Sequence, residues 1–249
     1  MYQIECSADR GQNATTMRLK PDTHPAESSA AKGPDAICHY AWQEIDSIPA
    51  DATRQVRAAL GARHARQLCV ALLAEITGGD SGSWSISPPG QGRPRVLAAH
   101  PGKKLPGISL SHSGNSVAAA ASFHGVPGID IQVMDRDRDY AALAAYMGWI
   151  PSLGARKTWH RGSRFTRTWT QWESWFKALD TPLPGARESF QEVLAQDNST
   201  TGARAQAGYF RTLRTPGGWL SVTLGRNQRL QAGAQYRRVS QRRLQAAGG

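Results

Sequence analysis

Three stretches of this chain hold residue types that could do chemistry together. In Val126 to Val133, strand alternation puts Asp130 and Gln132 on one face and Ile129, Ile131 and Val133 on the other. A carboxylate held on a strand suits a hard cation such as Mg2+, which takes oxygen ligands at about 2.0–2.1 Å and often completes its shell with substrate phosphates. The plain alternative is an acid that ends a strand in a solvated turn. In WTQWESWFKAL (169–179), Glu173 and Lys177 stand four apart and share a helix face. Such a pair also supports an ordinary helix by about 0.2–0.5 kcal/mol, and Thr170-x-x-Glu173 fits a capping box. In Ser109-Leu-Ser-His-Ser-Gly114, hydroxyls and an imidazole at a strand end can hold phosphate oxygens, or can be a polar strand end with His112 satisfied by the backbone. The frame Gly-x-Ser-x-Gly is absent around Ser111 and Ser113, which argues against a serine hydrolase. Upstream, Gly92-Arg93-Pro94 is a turn able to offer backbone and guanidinium to a nucleotide, as any Gly-Arg-Pro turn is.

The elements that must position these groups follow from periodicity. Val56, Leu60, Leu68 and Leu72 predict a helix from about Ala52 to Ile76, stopped by Gly78-Gly79, with Arg63 and Arg66 on another face. A Gly, Ser and Pro-rich loop (78–94) leads to three predicted strands, ISLSHS, Val117 to Phe123 and PGIDIQV. A mainly helical stretch follows from about Tyr140, and Trp169, Trp172, Phe176 and Leu179 recur at helical spacing, an aromatic face that must be buried. GYFRTLRTPGGWLSVTLG (208–225) reads as two strands around a Pro-Gly-Gly turn. The pattern is α+β. Residues 1–35, polar and without period, are expected to form a flexible arm.

With 249 residues, 40% of them hydrophobic, the chain can build one large core or two small ones. The formal net charge of +11 calls for an anionic partner or ligand. Six arginines and no acid follow Gly225, so the tail 226–249 carries +6 of that charge, while the arm carries −1. No apolar run approaches the roughly 20 residues that cross a bilayer, and the start lacks the order of a secretion signal, so a soluble, cytoplasmic protein is expected. Cys6, Cys38 and Cys69 are odd in number and far apart, which fits reduced thiols better than disulfides or a zinc site.

Taken in order, GRP, ISLSHSG, PGIDIQ and WTQWESWFKAL resemble the 4′-phosphopantetheinyl transferases, in the class built from two similar subdomains. The resemblance runs from about Arg57 to Leu224, and Asp130 and Glu173 lie 43 positions apart. It implies two α+β subdomains, residues 36–130 and 131–225, packed in pseudo-twofold fashion around a cleft that holds the active site. It implies Mg2+-dependent transfer of the phosphopantetheine arm of coenzyme A to a serine of an acyl or peptidyl carrier protein, with release of adenosine 3′,5′-bisphosphate. Asp130, Gln132 and Glu173 would then face the metal. Arg66, Ser111, His112 and Lys177 would contact phosphates, with Gly92, Arg93 and Pro94 along the adenine nucleotide. Glu173 would be the base, and Lys177 would serve the leaving group. Where many members carry Glu, this chain has Gln132, which removes one negative charge and predicts weaker Mg2+ binding than a Gln132→Glu variant would show. A monomer would already contain a complete site, an acidic carrier would match the basic charge, and the segment from Met147 to Arg167 is expected to contact it. Two other readings remain: a basic nucleic-acid-binding protein, favoured by the arginine tail and eight tryptophans but without a reading motif, and a catalytically silent carrier-binding relative. Neither a membrane nor a specific nucleic acid is the expected partner.

Overall fold

The computed structural model describes residues 36–46, 48–49, 51–98, 104–147, 162–179, 190, 209–226, 229–230 and 234–247. The expected arm at 1–35 and most of the expected carrier-contact segment, residues 148–161, lie outside them. The chain alternates strands and helices in an α+β arrangement, as its periodicity predicts. β1 (Ile37–Glu44) leads to α1 (Arg54–Thr77), and the short strands β2 (Trp84–Ile86) and β3 (Val96–Ala98) pair across the Gly-Pro loop. Then come β4 (Gly107–Ser113), β5 (Ser116–Ser122), β6 (Val126–Val133) and α2 (Tyr140–Tyr146). The helix α3 (Ser163–Ala178) precedes β7 (Phe210–Thr215) and β8 (Gly218–Arg226), and the end supplies β9 (Arg229–Leu230), β10 (Gln235–Arg238) and α4 (Gln241–Ala247).

Two four-stranded sheets result, one in the order β10-β1-β5-β4, the other β6-β8-β7 with β9 on β8. The first is antiparallel except where β10 joins β1 in parallel, Ile37 opposite Gln235. The alanine run of β5 explains how this sheet is covered on both sides. Every residue of β5 is buried, and its small side chains let a layer pack closely on each face. On one face Ala119 and Ala121 meet Leu68, Cys69, Leu72 and Leu73 of α1; on the other, Ala118 and Ala120 with Tyr40 meet Ile129, Ile131, Leu220, Val222 and Leu224 of the second sheet. At about 1.5–3 kcal/mol for each large aliphatic side chain removed from water, this double layer is the main source of stability.

The helix α1 starts two residues later than the apolar pattern implied, because the Thr53 hydroxyl accepts the Val56 N–H as its N-cap. It ends as predicted at Gly78, whose φ of 64° is the left-handed conformation that glycine adopts without strain. Its buried stripe is Gly61, Ala65, Leu68, Cys69, Leu72 and Leu73, whereas Val56, expected to be part of it, is 46% exposed. The expected aromatic face of α3 is met in part: Leu179 is buried, Trp169 stacks on Phe165, and Trp172 packs against Trp175 and Phe190. The stripe that packs on the sheet is small, Thr166, Thr170, Ser174 and Ala178, all buried at intervals of four. The aromatics lie beside it: Trp175 and Phe165 are buried with Tyr140, Phe190 and Phe210, while Phe176 stays 38% exposed. Thr170 is no capping residue, since α3 begins at Ser163 and the Thr170 hydroxyl donates to the Arg167 carbonyl within the helix.

The strand β6 belongs entirely to the second sheet, where Asp130 and Ile131 sit opposite Ser221 and Leu220 of β8. The basic tail joins both sheets: β9 pairs with β8 of the second, β10 extends the first, Leu244 of α4 is buried in the core beneath α1, Arg238 stacks over Trp42 at 5.2 Å, and Arg243 lies 3.6 Å from Glu75. Among the described residues no helix is long and apolar enough to cross a membrane.

Candidate functional site

The site lies on a seam between the two sheets. The strand β4 is the edge of the first and β6 the edge of the second, and serine side chains join them where no backbone ladder runs. The N–H groups of Ile129, Ile131 and Val133 donate to the hydroxyls of Ser109, Ser111 and Ser113 at 3.1, 3.2 and 3.1 Å. The pattern Ser-Leu-Ser-His-Ser is therefore first a structural device. Its three alternate hydroxyls project to one face of β4 and satisfy three alternate donors of β6, while Ile108, Leu110 and His112 turn toward α1. That spacing was visible in the sequence; its use as a side-chain ladder was not foreseen.

Asp130 stands at the centre of the seam, 5% exposed and in mid-strand, not in the solvated turn that was its plain alternative. Its Oδ1 accepts from the Ser111 hydroxyl at 2.8 Å and from Lys177 Nζ at 2.6 Å. Its Oδ2 is buried without a hydrogen-bond partner. Burial drives the Asp130 carboxyl above the usual carboxylate range, and Lys177, Ser111 and His112 pull it back part of the way.

The helix α3 delivers the other groups because glycines in the sheet let it come close. A Cβ at Gly128 would overlap the Ser174 carbonyl oxygen, and one at Gly225 would stand 2.5 Å from the Ala178 carbonyl oxygen. The Ser174 hydroxyl meets that of Ser221 at 3.2 Å. At this separation Lys177 reaches the Ile129 carbonyl (3.3 Å) as well as Asp130. Its ammonium is thus directed across the site to β6, which sets it apart from an ordinary surface partner of Glu173. Glu173, half-buried one turn earlier, has its carboxyl raised by burial, lowered by Lys177 and raised again by the Asp130 charge. The two acids therefore sense each other across the 43 positions between them.

Of the remaining predicted residues, Arg93 touches the Lys177 carbonyl and His112 is within electrostatic reach of Lys177 and Asp130. The His112 ring rests on α1 at Gly61, where a Cβ would lie 2.8 Å from its Cγ and Nδ1. Burial holds the imidazole below its ordinary range, Lys177 and Arg66 add to that, and Asp130 opposes it. Arg66 is thus within electrostatic reach of His112, and its Nε donates to the Ser87 carbonyl at 3.3 Å. Gln132 projects from the same face as Asp130, with its amide donating to the Val133 carbonyl at 3.1 Å. Arg93 binds the carbonyls of Lys177 and Pro127, so its guanidinium ties the loop to the end of α3. Gly92 is exposed with φ of 74°, a left-handed turn, and Pro94 is half-buried beside it.

No cluster of three or more His, Cys, Asp or Glu side chains that could hold a metal occurs among the described residues. Two carboxylates and an amide are oxygen donors of the kind a hard cation takes. The orphaned Oδ2 of Asp130 is the atom that lacks a partner, and a divalent cation would relieve the repulsion between Asp130 and Glu173. These residues fit Mg2+. Cys38 and Cys69 are free and buried, with the Cys69 thiol pushed up to about 12 by burial, so neither is a nucleophile. Cys6 is outside the described residues. Comparison of the chain with protein-family models and with curated proteins finds no match in either set.

Proposed function

We propose that this chain is a Mg2+-dependent 4′-phosphopantetheinyl transferase that modifies a serine of an acyl or peptidyl carrier protein. The observation that carries this reading is the meeting of Lys177 with Asp130 at 2.6 Å, with Glu173 close enough to feel the Asp130 charge. Two carboxylates and a cation brought from β6 and α3 to one place are what transfer from a diphosphate ester requires.

In the reaction, the carrier serine oxygen forms a bond to the phosphorus that bears the pantetheine arm. The bridging P–O bond breaks, and adenosine 3′,5′-bisphosphate leaves with the electron pair. Glu173 takes the serine proton, directly or through a water, and its raised proton affinity suits that task. Lys177 places positive charge where the departing phosphate oxygen gains negative charge. His112 and Arg66 lie on the α1 side, where they would meet further phosphate oxygens of coenzyme A. Asp130, Glu173 and the side-chain carbonyl of Gln132 are the residues that would hold Mg2+, which when bound neutralises the diphosphate.

The test is intact-protein mass spectrometry of several apo carrier proteins incubated with the chain, coenzyme A and Mg2+. The expected result is one added phosphopantetheine, lost with Glu173→Gln. Carriers that all keep their apo mass would overturn the proposal.

A further inference from the structure

The three seam hydroxyls do not have equal work. Ser109 and Ser113 accept main-chain N–H groups of Ile129 and Val133, whereas Ser111 accepts from Ile131 and in addition donates to Asp130 Oδ1. A serine hydroxyl has one hydrogen, and that of Ser111 is spent on the carboxylate. With Lys177 on the same oxygen, Oδ1 is held from two directions and the carboxylate cannot rotate freely. Its Oδ2, buried and without a partner, is the atom left to bind something else.

We propose that Ser111 is a positioning residue: its hydroxyl locks the Asp130 carboxylate so that Oδ2 is presented to a divalent cation, and it does not serve as a contact for substrate phosphate. The inference rests on the metal-dependent reading above and deepens it by dividing the two carboxylate oxygens into a structural and a ligating one. Groups that orient a metal ligand change affinity by about 10–100-fold when they are removed.

The experiment measures Mn2+ binding to the full chain by electron paramagnetic resonance, without coenzyme A or carrier. Ser111→Ala is expected to weaken Mn2+ binding by about 10–100-fold, and Ser111→Thr, which keeps the hydroxyl, to restore it to within a few-fold of wild type. Ser109→Ala removes a seam bond of the same kind, away from the carboxylate; it should lower the unfolding midpoint yet leave Mn2+ affinity unchanged. Binding of adenosine 3′,5′-bisphosphate without divalent ion should be the same in Ser111→Ala and wild type. Wild-type Mn2+ affinity in Ser111→Ala, or an equal loss in Ser109→Ala, overturns the inference while leaving the metal site standing. A wild-type chain that binds no Mn2+ overturns both. If Ser111→Ala does not fold, Ser111→Cys keeps the shape with a weaker donor, and wild-type Mn2+ affinity in that variant overturns the inference equally.

Discussion

Lys177 Nζ lies 2.6 Å from Asp130 Oδ1 and 3.3 Å from the Ile129 carbonyl oxygen, so one ammonium on α3 clamps both a carboxylate and the main chain of β6. The contact joins groups 47 positions apart in sequence. It also sets a balance. Asp130 is nearly out of water, its carboxyl is raised for that reason, and Lys177 is the largest influence in the other direction.

Replacing Lys177 by Met should therefore leave a buried carboxylate uncompensated. At pH 7 the expected loss is about 2–3 kcal/mol, below that of a fully buried pair because the lysine side chain is 29% exposed. The folded-state carboxyl lies above its unfolded value, so protonation favours the fold. The deficit of the variant relative to wild type is present once Asp130 is ionised and closes as pH falls through the raised range toward the ordinary aspartate range. Urea midpoints at pH 7 and pH 4 check this; a deficit unchanged between them would contradict it.

The closeness of α3 to the sheet depends on a position with no side chain. A Cβ at Gly128 would meet the backbone of Ser174 and Ala178, which cannot yield as the end of a flexible side chain can. Gly128→Ala should cost about 3 kcal/mol or more. It should also move Glu173 and Lys177 away from Asp130, so Mn2+ binding should fall in whatever fraction remains folded. Wild-type stability in Gly128→Ala, read from urea unfolding, would show that the helix has room to spare.

Much of this arrangement was legible in the sequence, and the failures have physical causes. The alternation of Val126 to Val133 placed Asp130 and Gln132 on one face correctly, and Gly78 ended α1 as its left-handed conformation requires. Ile37–Glu44 and Gln235–Arg238 went unread as strands because their pairing is non-local: β1 is sandwiched between β5 and a strand from the far end of the chain. The period of Trp169, Trp172 and Leu179 found the aromatic cluster they join but not the stripe of α3 that meets the sheet, which is made of Thr, Ser and Ala matched to glycines in β6 and β8. Apolar periodicity does not register a small-on-small contact. The bonds of the Ser111 hydroxyl to Asp130 and to the Ile131 N–H could not be read from the strand pattern, because they depend on where β6 lies.

Glu173→Gln offers a separate test of the electrostatics. The Glu173 carboxyl is raised by burial and by Asp130 despite the opposing pull of Lys177, so ionising it works against the fold. For a carboxyl with a raised folded-state value, the favourable contribution is complete below the unfolded value and is lost as pH rises through the folded one. The neutral variant should exceed wild type at pH 7 by on the order of 0.5–1 kcal/mol, as is common when a functional charge is removed. The advantage should vanish once pH falls below the ordinary glutamate range, where both side chains are uncharged. Thermal unfolding across that interval checks it, and a variant less stable than wild type at pH 7 would show that Glu173 has a favourable partner in the fold.

Gln132 is where this chain departs most plainly from the resemblance, and its surroundings say what restoring an acid would do. Its amide nitrogen donates to the Val133 carbonyl at 3.1 Å, a bond that glutamate cannot make. Gln132→Glu would replace that donor with a carboxylate oxygen facing a carbonyl, and would add a second acid to the β6 face that already carries Asp130. Without divalent ions the variant should lose about 1 kcal/mol, the scale of one hydrogen bond. With Mg2+ the order should reverse, because a third negative oxygen group strengthens a hard-cation site. Stabilisation by a ligand grows with its concentration over its dissociation constant, so the rise in melting temperature with Mg2+ should begin at lower concentration in the variant. A half-saturating Mg2+ concentration that is unchanged or higher in Gln132→Glu would mean that residue 132 does not face the ion, and that Asp130 and Glu173 bind it without help from the second position on β6.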